Sequence, residues 1–276
     1  MGQLMQTKLP TIMGTGFRRI GYELKNYIKT PDALFFNFFF PLMMLVIFTV
    51  AFSDMELDIP GVDRVLTSAD VYLPAMLAMG VLVSGTQNLG IDMAIEKHDG
   101  TLRRLSGSPI SPVSYFIGKF GQVLISATVQ AILLVAIAHF VFGAYLPDQL
   151  QSWLTLTWVF YLGLLASSIL GIAISALPRS AKSANSVVLP PILILQFISG
   201  VYLSFSQLPE WLQNFASIFP LKWIAQGFRS VFYPDEFKMV ELGGEWYLDQ
   251  VALALSIWVI LGLVVTLMTF RWVRKS

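Results

Sequence analysis

Residues 33–52 read ALFFNFFFPLMMLVIFTVAF, a run without a single charged side chain. A helix needs about 20 mostly apolar residues to cross the hydrocarbon core of a bilayer, which is roughly 30 Å thick. Inside that core the backbone has no water to bond with, so the chain must satisfy its own N–H and C=O groups. The run therefore predicts a transmembrane helix.

Five further apolar runs are long enough to cross a membrane. They lie at 71–91, 115–142, 154–177, 186–203 and 251–270. The composition agrees with them, because 55% of the 276 residues are hydrophobic and only 13% are charged. A soluble domain carries about 25% charged residues. The predicted fold class is an all-α integral membrane protein with six transmembrane helices.

Positively charged side chains lie mostly on one side of this arrangement. With the N-terminus inside, only Arg64, Lys222, Arg229 and Lys238 fall outside, which leaves 14 of the 18 Lys and Arg residues in cytoplasmic segments. Loops rich in Lys and Arg stay in the cytoplasm. Both termini are therefore predicted to be cytoplasmic.

Residues 12–30, just before the first span, have an amphipathic pattern. Apolar side chains recur there at spacings of three and four, at Met13, Phe17, Ile20, Leu24, Tyr27 and Ile28. Basic residues such as Arg18 and Lys25 take the other face. We expect a helix that lies flat in the inner membrane interface. The same stripe would also fit a peripheral helix that packs on its own bundle.

Several kinds of catalytic site are missing from the sequence. There is no G-x-x-x-x-G-K-[ST] phosphate loop, since the nearest string, Gly118-Lys119-Phe120, lacks the upstream glycine and the hydroxyl. The chain has no Cys, and its two histidines, His98 and His139, fall on opposite sides of the membrane and cannot share a metal. We expect no enzyme activity and no cofactor on this chain. A net charge of +1 gives no general basis for binding nucleic acid.

The loop at 96–112 reads EKHDGTLRRLSGSPISP. A turn at Gly100 is followed by a short stretch that favours a helix, with Leu102 and Leu105 three residues apart. A short helix with apolar and Arg residues could dock into a groove of a partner protein. A solvated connection between two spans fits the same residues.

The segment 207–233, between the fifth and sixth spans, is long but not polar. Its apolar residues predict two short helices separated by Pro220, each too short to cross the membrane. Aromatic side chains such as Trp211 and Trp223 are typical of a membrane interface. We expect both helices to re-enter the outer leaflet, covered by protein at their ends.

These segments, in this order, resemble the permeases of the ABC type-two exporter family, which export drugs, lipids or polysaccharides. The likeness covers essentially the whole chain, 1–276, as a single transmembrane domain, and is greatest to the drug-resistance type. The matching features are the amphipathic first helix, the loop from Glu96 through Gly100-Thr101-Leu102 to Pro109, Gly118-Lys119, Gly200 to Leu208-Pro209, and Phe219-Pro220-Leu221 leading to Arg229.

The resemblance implies that this chain is the membrane subunit of an exporter in a prokaryotic cytoplasmic membrane. Two copies of a separate ATPase subunit, which hold ATP and Mg, would dock beneath two permease chains, with the second chain expected to be identical. The residues implied in coupling to the ATPase are Glu96, Gly100, Thr101, Leu102, Arg103, Arg104 and Leu105.

The resemblance also implies a pathway between the two permease chains, lined mainly by the first, second and fifth spans. The candidate lining residues are Phe35, Phe39, Met76, Met79, Gln196 and Phe197. Phe and Met surfaces suit a hydrophobic or amphipathic substrate. A polysaccharide or glycolipid exporter of the same family is one alternative. An ion-coupled carrier is another, although no predicted span has an acidic residue near its middle.

Overall fold

The computed structural model describes residues 11–54 and 65–269, and within these ranges the regular elements are all helices. The predictions that fall on 1–10, 55–64 and 270–276, including the last residue of the sixth predicted span, lie outside the described residues. The helices are α1 Ile12–Ile28, α2 Pro31–Ala51, α3 Ser68–His98, α4 Thr101–Ser106, α5 Pro112–Phe142, α6 Leu150–Ile174, α7 Ala181–Ile198, α8 Glu210–Ala216, α9 Pro220–Phe232 and α10 Leu248–Thr269.

Five of these helices, α2, α3, α5, α6 and α7, are long and apolar enough to cross a membrane. The sixth predicted span corresponds to α10, whose apolar part within the described residues is the shorter stretch Leu248–Val264. The architecture is thus an all-helical membrane protein with five candidate spans, and the count of six stays a prediction.

Helix α3 extends seven residues beyond the predicted end of the second span at 91 and ends only at His98. Glu96 therefore lies inside this helix. The sequence had predicted it at the start of a loop, 96–112. The fifth span begins and ends five residues earlier than its predicted range 186–203, because α7 runs from Ala181 to Ile198 and Gly200 then adopts a φ of +81°. This left-handed conformation suits glycine and ends the helix.

Helix α3 is the centre of the bundle. Of the residues in its most apolar part, 89% are buried, against 22% for α2. Glycines let α6 approach it closely, since a Cβ on Gly171 would lie 2.5 Å from the carbonyl oxygen of Gly85. Thr86 donates a hydrogen bond from its hydroxyl to the carbonyl of Ser167 across the same contact, at 2.8 Å.

Helix α1 packs lengthwise against the first half of α5. Thr11 caps its N-terminus by accepting a hydrogen bond from the backbone N–H of Gly14. Close contact with α5 needs glycine there, because a Cβ on Gly118 would meet the Arg19 side chain at 2.6 Å. Helix α1 buries charged residues against the protein and exposes apolar ones such as Met13 and Phe17.

Helices α8 and α9 occupy the segment between α7 and α10. Pro220 is the first residue of α9, where its missing N–H and fixed φ cost nothing. Almost all of α9 is buried, and it packs against α3, α6 and α10. Two short helices separated by Pro220 are what the sequence predicted, whereas their depth in a membrane stays a prediction.

Candidate functional site

A buried group of charged residues lies where α1, α3 and α5 meet. At its centre is Lys119 of α5, whose side chain is only 4% exposed. Its Nζ lies 2.7 Å from Oε1 of Glu96 on α3 and 3.0 Å from Oε2 of Glu23 on α1. One ammonium group therefore joins three helices. We call Arg19, Glu23, Asp92, Glu96, Tyr115 and Lys119 the charged joint.

The remaining members of the charged joint complete its contacts. Tyr115 donates a hydrogen bond from its hydroxyl to Oε2 of Glu96 at 2.7 Å, so α5 holds both oxygens of this carboxylate. Arg19 pairs with Glu23 at 2.8 Å, and its guanidinium lies 5.0 Å from the centre of the Tyr115 ring. This distance is typical of a cation–π contact.

The charges of the joint do not cancel. Arg19 and Lys119 contribute two positive charges, whereas Glu23, Glu96 and the half-exposed Asp92 contribute three negative ones. Burying charges is costly, and a buried ion pair repays this cost only through close partners. Removing one partner leaves its neighbour charged and unpaired, which typically costs about 3–5 kcal/mol. The three helices are therefore strongly tied at this point.

The short helix α4 follows α3 after a tight turn. Gly100 precedes its first residue with a φ of +83°, and Asp99 accepts a hydrogen bond from the backbone N–H of Thr101 at 2.8 Å. Burial raises the pKa of Asp99, but the hydrogen bonds from Thr101 and the charge of Arg104 outweigh it, so this pKa lies below its usual value. Leu102 is buried and anchors α4 to the bundle.

A groove of about 560 Å³ lies between α1 and α4, beside the charged joint. Most of the residues that line it have a polar or charged group, and they are Thr15, Arg18, Arg19, Tyr22, Asn26, Glu96, Asp99, Thr101, Leu105 and Ile110. The groove thus connects the surface of α4 with Glu96, a member of the joint. A partner protein that contacts α4, or a ligand that binds in this groove, would therefore lie next to the ion pairs of the joint.

The structure separates the predicted coupling residues into two groups. Glu96 belongs to the charged joint, whereas Arg103 and Arg104 are exposed on α4. Arg104 donates a hydrogen bond to the hydroxyl of Thr101 at 3.0 Å. Thr101 and Leu105 are partly buried. Their role in coupling stays a prediction.

Sequence reasoning missed most of the joint. In the sequence, Lys119 stood out only beside Gly118 in short motifs, and no role was predicted for Glu23 or Tyr115. One signal was available, because a lone Lys inside an apolar run needs a partner of opposite charge. The sequence does not say which carboxylate that partner is, since Glu23 and Lys119 are 96 positions apart.

Polar residues continue from the joint along the facing surfaces of α3 and α5. On α3 they recur every four residues at Ser84, Asn88, Asp92 and Glu96, and on α5 they are Lys119, Gln122, Ser126 and Gln130. Asn37 of α2 completes this polar column, since its Oδ1 accepts hydrogen bonds from Ser84 at 2.6 Å and from Asn88 at 3.2 Å.

Two short π-helical segments meet at Asn37. They are Phe35–Phe39 within α2 and Val83–Asn88 within α3. Single π turns inside α-helices are frequent at functional sites, because the widened turn redirects side chains. Here both segments direct polar groups toward each other in the interior of the bundle.

The candidate pathway residues also fall into two groups. Phe35, Phe39 and Phe197 are 44%, 52% and 49% exposed. Met76 and Met79 are wholly buried, and Gln196 is 2% exposed. A buried side chain cannot touch a molecule between two chains unless the helices move. The pathway role of all six residues stays a prediction.

Met79 and Gln196 meet the same aromatic residue. The hydroxyl of Tyr202 lies 3.0 Å from Sδ of Met79 and 3.1 Å from Oε1 of Gln196. These contacts connect α3 with α7 and the turn that follows it.

A second buried ion pair lies near the opposite end of α3. Arg229 of α9 pairs with Glu241, and its Nη1 donates a hydrogen bond to the carbonyl of Gly200 at 3.2 Å. The nearby Tyr233 donates a hydrogen bond from its hydroxyl to the carbonyl of Val71, at 3.1 Å. Helix α9 is thus fixed to the first turns of α3 and to the turn after α7.

Comparison with known proteins identifies similar membrane proteins. Residues 20–233 match the family model described as ABC-2 type transporter. The "Probable multidrug ABC transporter permease YbhR" of Escherichia coli K12 is 27% identical over 167 residues, which are 59% of this chain and 44% of that protein. The chain thus spans less than half the length of that relative.

A second relative is covered more fully. The "Inner membrane transport permease YadH" of Escherichia coli K12 is 20% identical over 192 residues, which are 68% of this chain and 72% of that protein. The matched family region contains Glu23, Glu96 and Lys119 of the charged joint and Arg229 of the second ion pair, whereas Glu241 lies beyond its end.

Proposed function

Because the chain belongs to the ABC-2 type transporter family, as its sequence led us to expect, we propose that it is the permease subunit of an ATP-driven exporter. The observation that carries the proposal is the charged joint beside α4. An exposed helix with two arginines lies next to buried ion pairs that tie together α1, α3 and α5. This arrangement is suited to transmit a movement of a partner protein to the membrane helices.

The energy source is a separate chain in this proposal. Two ATPase subunits, which bind ATP and Mg, dock beneath two identical permease chains. Helix α4 enters a cleft of the ATPase, and α1 forms part of the same contact through the groove it shares with α4. When the ATPase closes on ATP, α4 is displaced, and the charged joint passes this displacement to α3 and α5.

The proposed topology has six spans, with α10 as the sixth, and both termini in the cytoplasm of a prokaryotic cell. The excess of Lys and Arg in the segments assigned to the inside supports this orientation. Exposed apolar residues on α1, such as Met13, Phe17 and Ile28, support a helix that lies in the inner interface. Helices α8 and α9 re-enter the outer leaflet.

The proposed cargo is a hydrophobic or amphipathic compound, either drug-like or a lipid. Exposed Phe35, Phe39 and Phe197 on α2 and α7 provide an apolar surface for it between two permease chains. The name of the relative YbhR, a probable multidrug permease, points to the same class. Met76, Met79 and Gln196 would contact cargo only in a conformation that opens the bundle.

Purification from native membranes in a mild detergent tests the proposal. We expect a protein with a nucleotide-binding phosphate loop to co-purify in near-equal amount, identified by mass spectrometry. Arg103→Glu on α4 should weaken this association. Lys182→Glu, a charge reversal at another exposed residue in a segment assigned to the cytoplasm, should not. A chain that purifies without an ATPase and moves substrate in vesicles without ATP would contradict the proposal.

A further inference from the structure

A cleft of about 420 Å³ separates α5 from α6, two helices that follow each other in the chain and run antiparallel. Its floor is made by Leu77 of α3 and Phe160 of α6, which are 2% and 8% exposed. Its rim is formed by Ile132, Phe140 and Tyr161, which are 62%, 83% and 40% exposed. The cleft thus opens sideways from the bundle.

Three of the polar side chains in the wall of the cleft donate hydrogen bonds to backbone carbonyl groups. Thr128 donates to the carbonyl of Leu124 and Thr157 to that of Trp153, each at 2.7 Å. The indole N–H of Trp153 donates a hydrogen bond to the carbonyl oxygen of Pro147 at 2.8 Å. These groups are already paired, so the wall offers mainly carbon to a ligand.

The cleft has the length and position of a hydrocarbon chain in a bilayer. Its walls are two candidate membrane spans. The lining along α5 runs from Thr128 to Phe140, about 18 Å at about 1.5 Å per residue. One leaflet of the hydrocarbon core is about 15 Å thick, half of the roughly 30 Å core. Trp153 and His139 line the end of the cleft near the α5–α6 connection, where an aromatic interface residue is expected.

We propose that this cleft binds one acyl chain of a membrane phospholipid. The apolar wall offers water no hydrogen-bond partners. If the cleft were empty, the side chains that line it would lack van der Waals contacts on that side. The rim is continuous with the exposed apolar surface of α5, where Leu133 and Val141 are 44% and 67% exposed. Lipid chains surround that surface and are the apolar molecules at hand. The proposal depends on the membrane position of α5 and α6 and not on the proposed function.

Quenching of Trp153 by brominated lipid tests this site. The protein is reconstituted in phosphatidylcholine vesicles with and without bromine on one acyl chain. The fluorescence of Trp153 is obtained by subtracting the fluorescence of the same protein with Trp153→Phe. We expect Trp153 to be quenched in wild type, and most of that quenching to be lost in Ala136→Phe, which fills the cleft.

Leu133→Phe is the matched control. Leu133 lies about one helical turn before Ala136 on α5, but it is outside the lining of the cleft and exposed. The variant therefore places the same ring at a similar depth and leaves the cleft open, so it should keep the quenching of Trp153. Equal quenching in wild type and both variants would show contact with bulk lipid only and overturn the proposal. Absence of Trp153 quenching in wild type would overturn it too, since a second protein chain would then cover the cleft.

Discussion

Two buried ion-pair sites lie toward opposite ends of α3, and they are built differently. The charged joint combines five charged side chains from three helices and lies beside the exposed helix α4. The Arg229–Glu241 pair joins α9 to a following segment, and Arg229 is also bonded to the backbone of Gly200. The joint is therefore suited to transmit movement, whereas the second site is suited to hold the turns around α9 in place.

The largest effect is expected when the joint loses its shared cation. Lys119→Met leaves the buried Glu23 and the partly buried Glu96 without their ammonium partner, which should lower the free energy of unfolding by about 3–5 kcal/mol. Thermal unfolding in detergent measures the change. Lys182→Met removes an exposed charge and serves as control, with no expected shift. A Lys119→Met protein as stable as wild type would show that the ion pairs of Lys119 contribute nothing to stability.

Breaking the second site should affect stability but not coupling. Arg229→Leu leaves Glu241 buried and unpaired, at a cost of about 3 kcal/mol. The double variant Arg229→Leu with Glu241→Leu should recover part of this loss, because no unpaired charge remains. At a temperature where it is folded, the double variant should transport as much substrate per ATP hydrolysed as wild type. A lowered ratio would mean that both sites transmit movement and would remove the contrast.

A smaller loss is expected from Tyr115→Phe, which keeps the ring beside Arg19 and removes the hydrogen bond to Glu96. Hydrogen bonds to charged groups contribute about 1.5–3 kcal/mol. Unfolding measurements should show a loss in this range. The double variant Tyr115→Phe with Glu96→Ala should lose less than the sum of the two single changes, because each single change already removes the hydrogen bond between Tyr115 and Glu96. Strict additivity would show that the contact carries no energy.

The smallest expected effect concerns the turn between α3 and α4. Gly100 has a φ of +83°, and a side chain in the left-handed region costs about 1–2 kcal/mol. Gly100→Ala should therefore displace α4 and weaken the association with the ATPase, measured by co-purification. Gly107→Ala is the control, since Gly107 has a φ of −84° and its Cβ would make only an ordinary contact. Equal association of both variants would show that the turn geometry is unimportant.

The parts of the fold that depend on local hydropathy could be predicted from sequence. The run 33–52 became a helix because its apolar length leaves no alternative inside a bilayer. The end of α3 could not be located in this way. Four of the seven residues in 92–98 are polar or charged, so hydropathy ends the span before them, but Asp92 and Glu96 face Lys119 on another helix and the segment stays helical.

The site was predictable only where it is continuous in sequence. Gly100 marks its turn without any knowledge of the fold, and Leu102 and Leu105 mark one face of a short helix. The pairing of Glu23 with Lys119 depends on how α1 packs against α5, which glycines such as Gly118 permit. Burial is equally non-local, since Met76 and Phe35 are similarly apolar but only Phe35 is exposed.

The most direct test of the account asks whether the charged joint carries movement from α4 into the spans. The chain has no Cys, so Val129→Cys places a single fluorescent label on the exposed face of α5. The labelled permease is assembled with its ATPase, and the label is followed as ATP and Mg are added. The same measurement on a Glu96→Gln background removes the charge of Glu96 but keeps its shape.

We predict that ATP changes the fluorescence of the labelled wild type. The Glu96→Gln complex should still assemble and hydrolyse ATP but lose most of this change. A Glu96→Gln complex that responds to ATP as wild type does would contradict the central claim.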